Sequence, residues 1–385
     1  MIVGVVKETC PGENRVALVP ASIPALLKKG VEVVVEKGAG FAAGFPDSEY
    51  QERGARLANS RADVLKEAPT LLFVRGPGSD ASFAFEDLGQ VPPGAVLIGF
   101  LDPLIAFGDM RILASKGLSA FSMEMMPRIT RAQSMDALSS MATIAGYKAV
   151  LLAADRLPRM FPMLMTAAGT VSPARVFVVG VGVAGLQAIS TAKRLGAVVQ
   201  AYDVRPAVKE QVQSVGAKFV EMEIDASESE DKGGYAKELG EDFYRKQREL
   251  MTSVLAQSDV VITTAAVPGK KAPILVTKEM VEVMAPGSVV VDLAAERGGN
   301  CELTCCGQTT ITPNGVTILG PENLPSTVPY HASQMYAKNI TTFLLHLAKE
   351  GELKIDLEDE ITKETLIAHG GEVVHPRVKE LLGSN

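Results

Sequence analysis

Residues 175–203 read RVFVVGVGVAGLQAISTAKRLGAVVQAYD, and this stretch decides the fold. An apolar run over 175–179 leads into a glycine turn, an alanine-rich run predicts a helix, and a second apolar run ends at Asp203. A strand, a helix and a second strand in that order, with glycines at the first turn, are typical of a dinucleotide-binding βαβ unit.

Each glycine of the turn has a separate mechanical role. Gly180 allows the tight turn from strand to helix, Gly182 lets a pyrophosphate approach the backbone, and Gly185 lets the helix pack close to the strand. The free N–H groups and positive dipole end of the helix then face the phosphates. We therefore predict that the cofactor-binding turn includes Val181 and Val183 as well as the three glycines.

The second strand ends on a carboxylate that bears on cofactor choice. Asp203 follows the glycines by roughly the 20 residues at which an acid accepts the ribose hydroxyls. A carboxylate there repels a 2′-phosphate, which favours NAD(H) over NADP(H). Arg205 lies two residues further on and would soften that preference. Val204 completes the predicted ribose-side segment.

Composition limits the possible functions. The chain has 385 residues, 47% hydrophobic and 22% charged, and a net charge of −7, which favours a globular protein of two domains. The negative charge and the lack of tryptophan argue against nucleic acid as a partner. The four cysteines have no metal-binding spacing, so we predict no metal site and reduced thiols. No targeting peptide or apolar run of about 20 residues is visible.

Apolar strand patterns alternate with helical patterns along the chain, which predicts an α/β fold. We expect two Rossmann-like domains, with parallel sheets flanked by helices, joined by long connecting helices and separated by a cleft. The predicted bounds are 1–130 with 327–385 for the first domain, 131–157 for a connecting helix and 158–326 for the nucleotide-binding domain.

Two further segments stand out in the second domain. Residues 225–234, DASESEDKGG, are too polar to pack a core and predict a mobile loop. Residues 161–173, FPMLMTAAGTVSP, predict a hairpin, either an exposed arm with adaptable methionines or a plain core hairpin.

The densest polar constellation lies at 126–140, where the connecting helix begins. Gln133 and Ser139 have the donors and acceptors that a nicotinamide amide requires, and Arg128 and Asp136 add charge. A site at a junction between domains would be usual. The alternative from composition alone is an N-capped helix with a solvated charged face.

The run RITRAQSMDALSS at 128–140 closely resembles a signature of the NAD(H)-binding component, domain I, of proton-translocating NAD(P) transhydrogenases. The same likeness recurs in GYAKE at 234–238, in residues 264–273, and in DLAAE at 292–296 with GGN at 298–300. The resemblance covers essentially the whole chain. It implies a homodimer that passes hydride directly to NADP held on a separate NADP(H)-binding component, coupled to a membrane-spanning proton-channel component.

The resemblance also assigns residues. Arg128, Gln133, Asp136 and Ser139 match nicotinamide-side contacts, with Gln133 facing the partner's nicotinamide, and Asp203 matches the ribose acceptor. Tyr235 matches the tip of a loop that closes over the nucleotide. Gly234, Thr264 and Ala265 complete the implied cofactor-binding set. The implied location is a soluble chain peripheral to a membrane complex, on the cytoplasmic face in bacteria or the matrix side in an organelle.

The main alternative is an alanine dehydrogenase, which shares this architecture. The chain keeps that enzyme's GENRVA segment at 12–17, with the arginine that would hold a substrate carboxylate. Oxidation of an amine needs a proton acceptor beside the reacting carbon. Where that enzyme has lysine and histidine, this chain reads RGP at 75–77 and FLD at 100–102, and its four histidines all follow residue 330. A non-enzymatic NAD-binding module is a third possibility, but it gives no reason to keep residues 128–140.

Overall fold

The computed structural model describes residues 1–221, 241–349 and 351–383, with only the backbone at 241–244. The chain forms two compact units. Unit 1 comprises Met1–Met141 and Pro325–Asn385, and unit 2 comprises Ala142–Leu324. Each unit is built on its own sheet.

The sheet of unit 1 has eight strands. They are β1 (Ile2–Val5), β2 (Glu32–Glu36), β3 (Arg56–Ala58), β4 (Thr70–Arg75), β5 (Val96–Phe100), β6 (Ser119–Ser122), β18 (Leu366–His369) and β19 (Glu372–Val373). Their order is β19-β18-β6-β5-β4-β1-β2-β3, and only the β18 and β19 pairings are antiparallel. The strand order reverses between β1 and β4, as in doubly wound folds.

Helices of unit 1 cover this sheet. They are α1 (Ile23–Leu27), α2 (Asp47–Glu52), α3 (Arg61–Glu67), α4 (Phe107–Ser115), α10 (Pro329–Leu347), α11 (Glu360–Thr365) and α12 (Pro376–Gly383). A small antiparallel ladder of β16 (Ala348–Lys349) and β17 (Glu352–Leu353) follows α10. The side chains of β5 are all buried, as expected for a parallel strand with both faces covered.

The helix α5 (Ala137–Arg156) runs from the end of unit 1 into unit 2. The sequence predicts a connecting helix over 131–157, but residues Thr130–Met135 form a 3-10 helix instead, and α5 begins after Asp136. By length and composition alone α5 is apolar enough to cross a membrane, unlike the expectation from the sequence. A core helix passes the same test, and Ala149, Val150 and Ala153 of α5 are buried in the core of unit 2.

The described residues of unit 2 form a seven-stranded sheet. Its strands are β9 (Arg175–Val179), β10 (Val198–Tyr202), β11 (Lys218–Phe219), β12 (Val260–Thr263), β13 (Val289–Asp292), β14 (Thr309–Ile311) and β15 (Thr317–Leu319). The order β11-β10-β9-β12-β13-β15 is that of a Rossmann sheet. β14 adds an antiparallel strand beyond β15 at the edge of the sheet.

Alternate residues of β9 supply the two cores of unit 2. Val176 and Val178 pack with α5 and with α6 (Val183–Arg194), whereas Phe177 and Val179 pack on the opposite face with α8 (Glu241–Leu255) and α9 (Lys278–Glu282). The short helix α7 (Lys209–Ser214) lies between β10 and β11 in the chain. Alternate residues of β9 point to opposite faces of the sheet, and both faces are buried. The sequence of β9 is therefore one unbroken apolar run.

The predicted hairpin at 161–173 forms from β7 (Leu164–Thr166) and β8 (Gly169–Val171), which pair antiparallel. Met163 and Met165 are 56% and 80% exposed, whereas Phe161 is buried. In the single chain the hairpin is therefore an exposed arm whose base is anchored in the core.

Candidate functional site

The reversal of strand order in unit 2 places the ends of β9 and β12 side by side, and Rossmann sheets bind ligands at such a point. Gly180 follows β9 with φ +93°, and its N–H donates to the carbonyl of Tyr202 at 2.9 Å. The Thr264 hydroxyl, just after β12, donates to the carbonyl of Gly180 at 2.9 Å. A Cβ on Gly180 would lie 2.7 Å from that hydroxyl oxygen. Both the positive φ and this close contact therefore require glycine at the turn.

The other two fingerprint glycines differ in what surrounds them. A Cβ on Gly185 would collide with the carbonyl oxygen of Gly180, so this glycine lets α6 pack against the turn. A Cβ on Gly182 would meet no atom of the described residues within 4 Å. Gly182 is also the N-cap of α6 and provides no side-chain cap for the helix. The folded chain thus needs Gly185, whereas the space beside Gly182 and the adjacent N–H groups suits a phosphate.

Asp203 is 9% exposed and is held by four hydrogen bonds. Its Oδ2 accepts from the Val181 N–H at 2.7 Å and from Arg205 Nη2 at 2.9 Å. Its Oδ1 accepts from the Arg205 N–H and Nε, both at 2.9 Å. The carboxylate is therefore fixed at the turn, and its charge is paired with Arg205.

The segment after β12 is held by a buried polar cluster centred on Asp292. The Asn300 side chain accepts from the Ala265 N–H at 2.9 Å and donates to the Ala265 carbonyl at 2.8 Å. Asp292 accepts from the N–H of Asn300 at 2.7 Å and from the hydroxyls of Thr263 at 2.9 Å and Thr304 at 2.7 Å. These contacts fix Thr264 and Ala265 beside the glycine turn. From the sequence, Asp292 and Asn300 are recognisable only as parts of the family's motif.

The remaining predicted cofactor residues of unit 2 fall into two groups. Val181 is buried, Val183 begins α6 with 40% exposure, and Val204 packs partly buried against the core. Gly234, Tyr235 and the predicted loop at 225–234 lie outside the described residues.

In unit 1 the predicted polar constellation lies on the 3-10 helix and the start of α5. The Asp136 carboxylate accepts from the Ser139 N–H at 2.9 Å and from the Ser139 hydroxyl at 2.6 Å, so the structure brings these two residues together as a helix cap. Gln133 and Arg128 are exposed on the same segment. Asn339 of α10 donates to the Ser134 carbonyl at 3.0 Å and ties the segment to unit 1.

Unit 1 also reverses its strand order, but carboxylates occupy that point in place of a glycine turn. Glu8, just after β1, accepts from the N–H groups of Val74 and Arg75 at 2.7 and 2.9 Å. Burial raises the pKa of Glu8 to about 8. The Arg15 guanidinium is buried and paired with Glu13, with Nε and Nη2 at 2.7 and 2.6 Å from the two carboxylate oxygens. Arg15 thus already holds a carboxylate from its own chain.

Comparison with known families agrees with this geometry. Residues 4–145 match the description "Alanine dehydrogenase/PNT, N-terminal domain", and residues 149–376 match the corresponding C-terminal domain. The chain belongs to the alanine dehydrogenase/PNT family.

Within this family the chain is similar to a subunit alpha chain of the NAD(P) transhydrogenase of Rhodospirillum rubrum, with 47% identity over 98% of both chains. It is similar at 47% identity to a solved transhydrogenase structure from Sinorhizobium meliloti, with TM-score 0.86 over 97% of this chain and 100% of that one. Alanine dehydrogenase of Bacillus subtilis is more distant, at 29% identity over 100% of this chain and 95% of the enzyme. These comparisons confirm the resemblance read from residues 128–140 and the two-domain Rossmann-like fold.

Proposed function

We propose that this chain is the NAD(H)-binding component of a transhydrogenase and passes hydride directly between its nucleotide and NADP held on a separate component. The observation that carries the proposal is the switch point of unit 2, where Gly180 and Gly182 form an open turn at a helix N-terminus beside the fixed carboxylate of Asp203. A carboxylate at that position accepts ribose hydroxyls and disfavours a 2′-phosphate. NAD(H) is therefore the proposed cofactor, and NADP(H) belongs to the partner.

Unit 1 supports hydride transfer over amino-acid oxidation. An alanine dehydrogenase must hold a substrate carboxylate and accept a proton. Here the last residue of β4 is Arg75 in place of a lysine, and residues 100–102 read FLD where that enzyme has a histidine. Hydride transfer between two nicotinamides releases no proton and so needs no base. It needs the two reacting carbons to be held within about 3–3.5 Å of each other.

The finer roles follow the family signature. Arg128, Gln133, Asp136 and Ser139 are proposed as nicotinamide-side contacts, with Gln133 facing the partner's nicotinamide. Gly234, Thr264 and Ala265 are proposed as further cofactor contacts, and Tyr235 as the tip of a loop that closes over the nucleotide. The Ser139–Asp136 cap supports this assignment, because it fixes two of these side chains at one helix end.

The proposed assembly has three levels. Two copies of the chain form a homodimer, for which the exposed arm of β7 and β8 is the candidate contact. The dimer works with an NADP(H)-binding component and with a membrane-spanning component that couples the reaction to proton translocation. The chain would then lie at the cytoplasmic face of a bacterial membrane, or at the matrix side in an organelle.

Reconstitution tests this function. The chain is mixed with a purified NADP-binding transhydrogenase component, NADH and an absorbing analogue of NADP⁺, and reduction of the analogue is followed. We expect transfer only when both proteins are present. Absence of transfer from a chain that binds NADH would contradict the proposal.

Gln133 provides a sharper test of the site. Gln133→Asn shortens an exposed side chain while keeping its amide, so we expect NADH affinity to change less than about twofold. The rate of transfer should fall by about tenfold or more, because a small misplacement of reacting groups is costly. An unchanged transfer rate would remove the proposed role of Gln133.

A further inference from the structure

Hydrogen bonds among the described residues occupy the acceptor positions of the Asp203 carboxylate. An ionised carboxylate offers about four acceptor positions on its two oxygens. Backbone N–H groups of Val181 and Arg205 take one position on each oxygen, at 2.7 and 2.9 Å. The Arg205 Nε and Nη2 take the second position on each oxygen, both at 2.9 Å.

The two guanidinium bonds match the demand of a ribose. A vicinal diol donates one O–H to each oxygen of a carboxylate, and the guanidinium likewise donates one N–H to each. The ribose can therefore reach Asp203 only where the Arg205 fork, its pair of Nε–H and Nη2–H donors, now binds. The two backbone bonds do not need to break, so Asp203 keeps its orientation when the fork leaves.

We propose that Arg205 is a specificity-determining residue that occupies the ribose acceptor and yields to the ribose of the incoming nucleotide. This inference rests on the proposed NAD(H) site. Side-chain exposure of 16% for Arg205 and 6% for Asp203 makes the competing pair stronger than a surface ion pair. Every nucleotide that uses Asp203 must first displace it.

Displacement leaves the cation close to the ribose, because Arg205 is two residues from Asp203 and its N–H remains bonded there. Its charge attracts a 2′-phosphate and partly offsets repulsion by Asp203. Arg205 therefore lowers the affinity for NADH and reduces the discrimination against NADPH. These two effects have separate causes, the fork geometry and the positive charge, and substitutions separate them.

The experiment measures dissociation constants for NADH and NADPH by fluorescence titration of the full chain and two variants. Arg205→Lys keeps the charge but lacks the planar pair of N–H donors that binds both oxygens in parallel, whereas Arg205→Ala removes the charge and the donor pair. We expect both variants to bind NADH about three- to tenfold more tightly than the parent chain. The ratio of the NADPH to the NADH dissociation constant should rise about tenfold in Arg205→Ala and change less than about threefold in Arg205→Lys.

Lys209→Ala is the matched control. It removes one positive charge four residues along the chain, from an exposed lysine paired with Glu221 at 2.6 Å. We expect less than a twofold change in either constant. Weaker or unchanged NADH binding in both Arg205 variants would overturn the inference while leaving the NAD(H) site standing. Failure of the parent chain to bind NADH would overturn the proposed function itself, and the inference with it.

Discussion

Gly146 lies in the middle of α5, where glycine is unfavourable for helix formation. The structure explains its presence through α6, the helix that follows the fingerprint turn. A Cβ on Gly146 would collide with the carbonyl oxygen of Ala184 and lie 2.9 Å from its carbonyl carbon and 3.1 Å from its Cα. The obstacle is backbone in the first turn of α6, so it cannot move aside as a flexible side chain would. Gly146→Ala must therefore push α5 and the start of α6 apart.

Two opposing contributions set the change in unfolding free energy that Gly146→Ala causes. Overpacking against rigid backbone costs about 3 kcal/mol, at the upper end of the usual range. Replacing glycine by alanine within a helix returns about 1 kcal/mol. The net loss of about 2 kcal/mol predicts a fall of about 4–8 °C in the melting temperature of unit 2.

Calorimetry of the purified chain measures this change, and Gly108→Ala is its control. Gly108 is an exposed residue of α4, and a Cβ there would meet no atom within 4 Å in the part of the chain that the structure describes. Gly108→Ala should leave the chain equally stable, or more stable by up to about 1 kcal/mol. If Gly146→Ala were as stable as Gly108→Ala, the close approach of α5 to α6 would be refuted.

Two other substitutions test the site and the pH response. The methyl group of Gly182→Ala meets no described atom, so we expect the free energy of unfolding to change by less than about 0.5 kcal/mol. The affinity for NADH, measured by titration, should fall about 100-fold or more, because the new methyl group blocks the pyrophosphate. Tight NADH binding by this variant would count against the phosphate position. His375 is 2% exposed, neither ring nitrogen has a hydrogen-bond partner among the described residues, and burial lowers its pKa from 6.5 to about 4. Between these values the unfolded chain binds a proton that the folded chain does not, so acidification from pH 7.5 to 5 should cost about 2 kcal/mol through His375. Urea unfolding at both pH values measures the change in unfolding free energy for the parent chain and for His375→Leu. The parent should lose about 2 kcal/mol more than the variant, and equal changes in both would refute the prediction.

The parts of the fold that the sequence predicts best are those where burial imposes a simple pattern. β9, β12 and β13 are buried on both faces, and each appears as a short apolar run beside glycine or a charged residue. The sequence does not predict β14, because its three residues, Thr309–Ile311, are polar or exposed at the sheet edge. Nor does it predict β18 and β19, because a short antiparallel addition at the end of the chain has no period that distinguishes it from a loop.

The site shows the same division between local and long-range information. The glycine turn and Asp203 are read from adjacent residues, because each role follows from local backbone geometry. The two hydrogen bonds between the Asn300 side chain and the Ala265 backbone join residues 35 apart in the chain, which no local pattern encodes. The pairing of Arg205 with Asp203 joins residues whose charges are visible in the sequence. The proposed competition between Arg205 and the ribose for Asp203 depends on the burial and the bidentate geometry of the pair, which only the folded chain supplies.

The central claim is that this chain positions a nicotinamide for another component and provides no acid or base of its own. The most direct test incubates the isolated chain with NAD⁺ and L-alanine, and separately with NADH, pyruvate and ammonium, while absorbance at the NADH band is followed. We predict that the chain binds the nucleotide and that NADH is neither formed nor consumed. Sustained turnover of alanine or pyruvate by the chain alone would contradict the account.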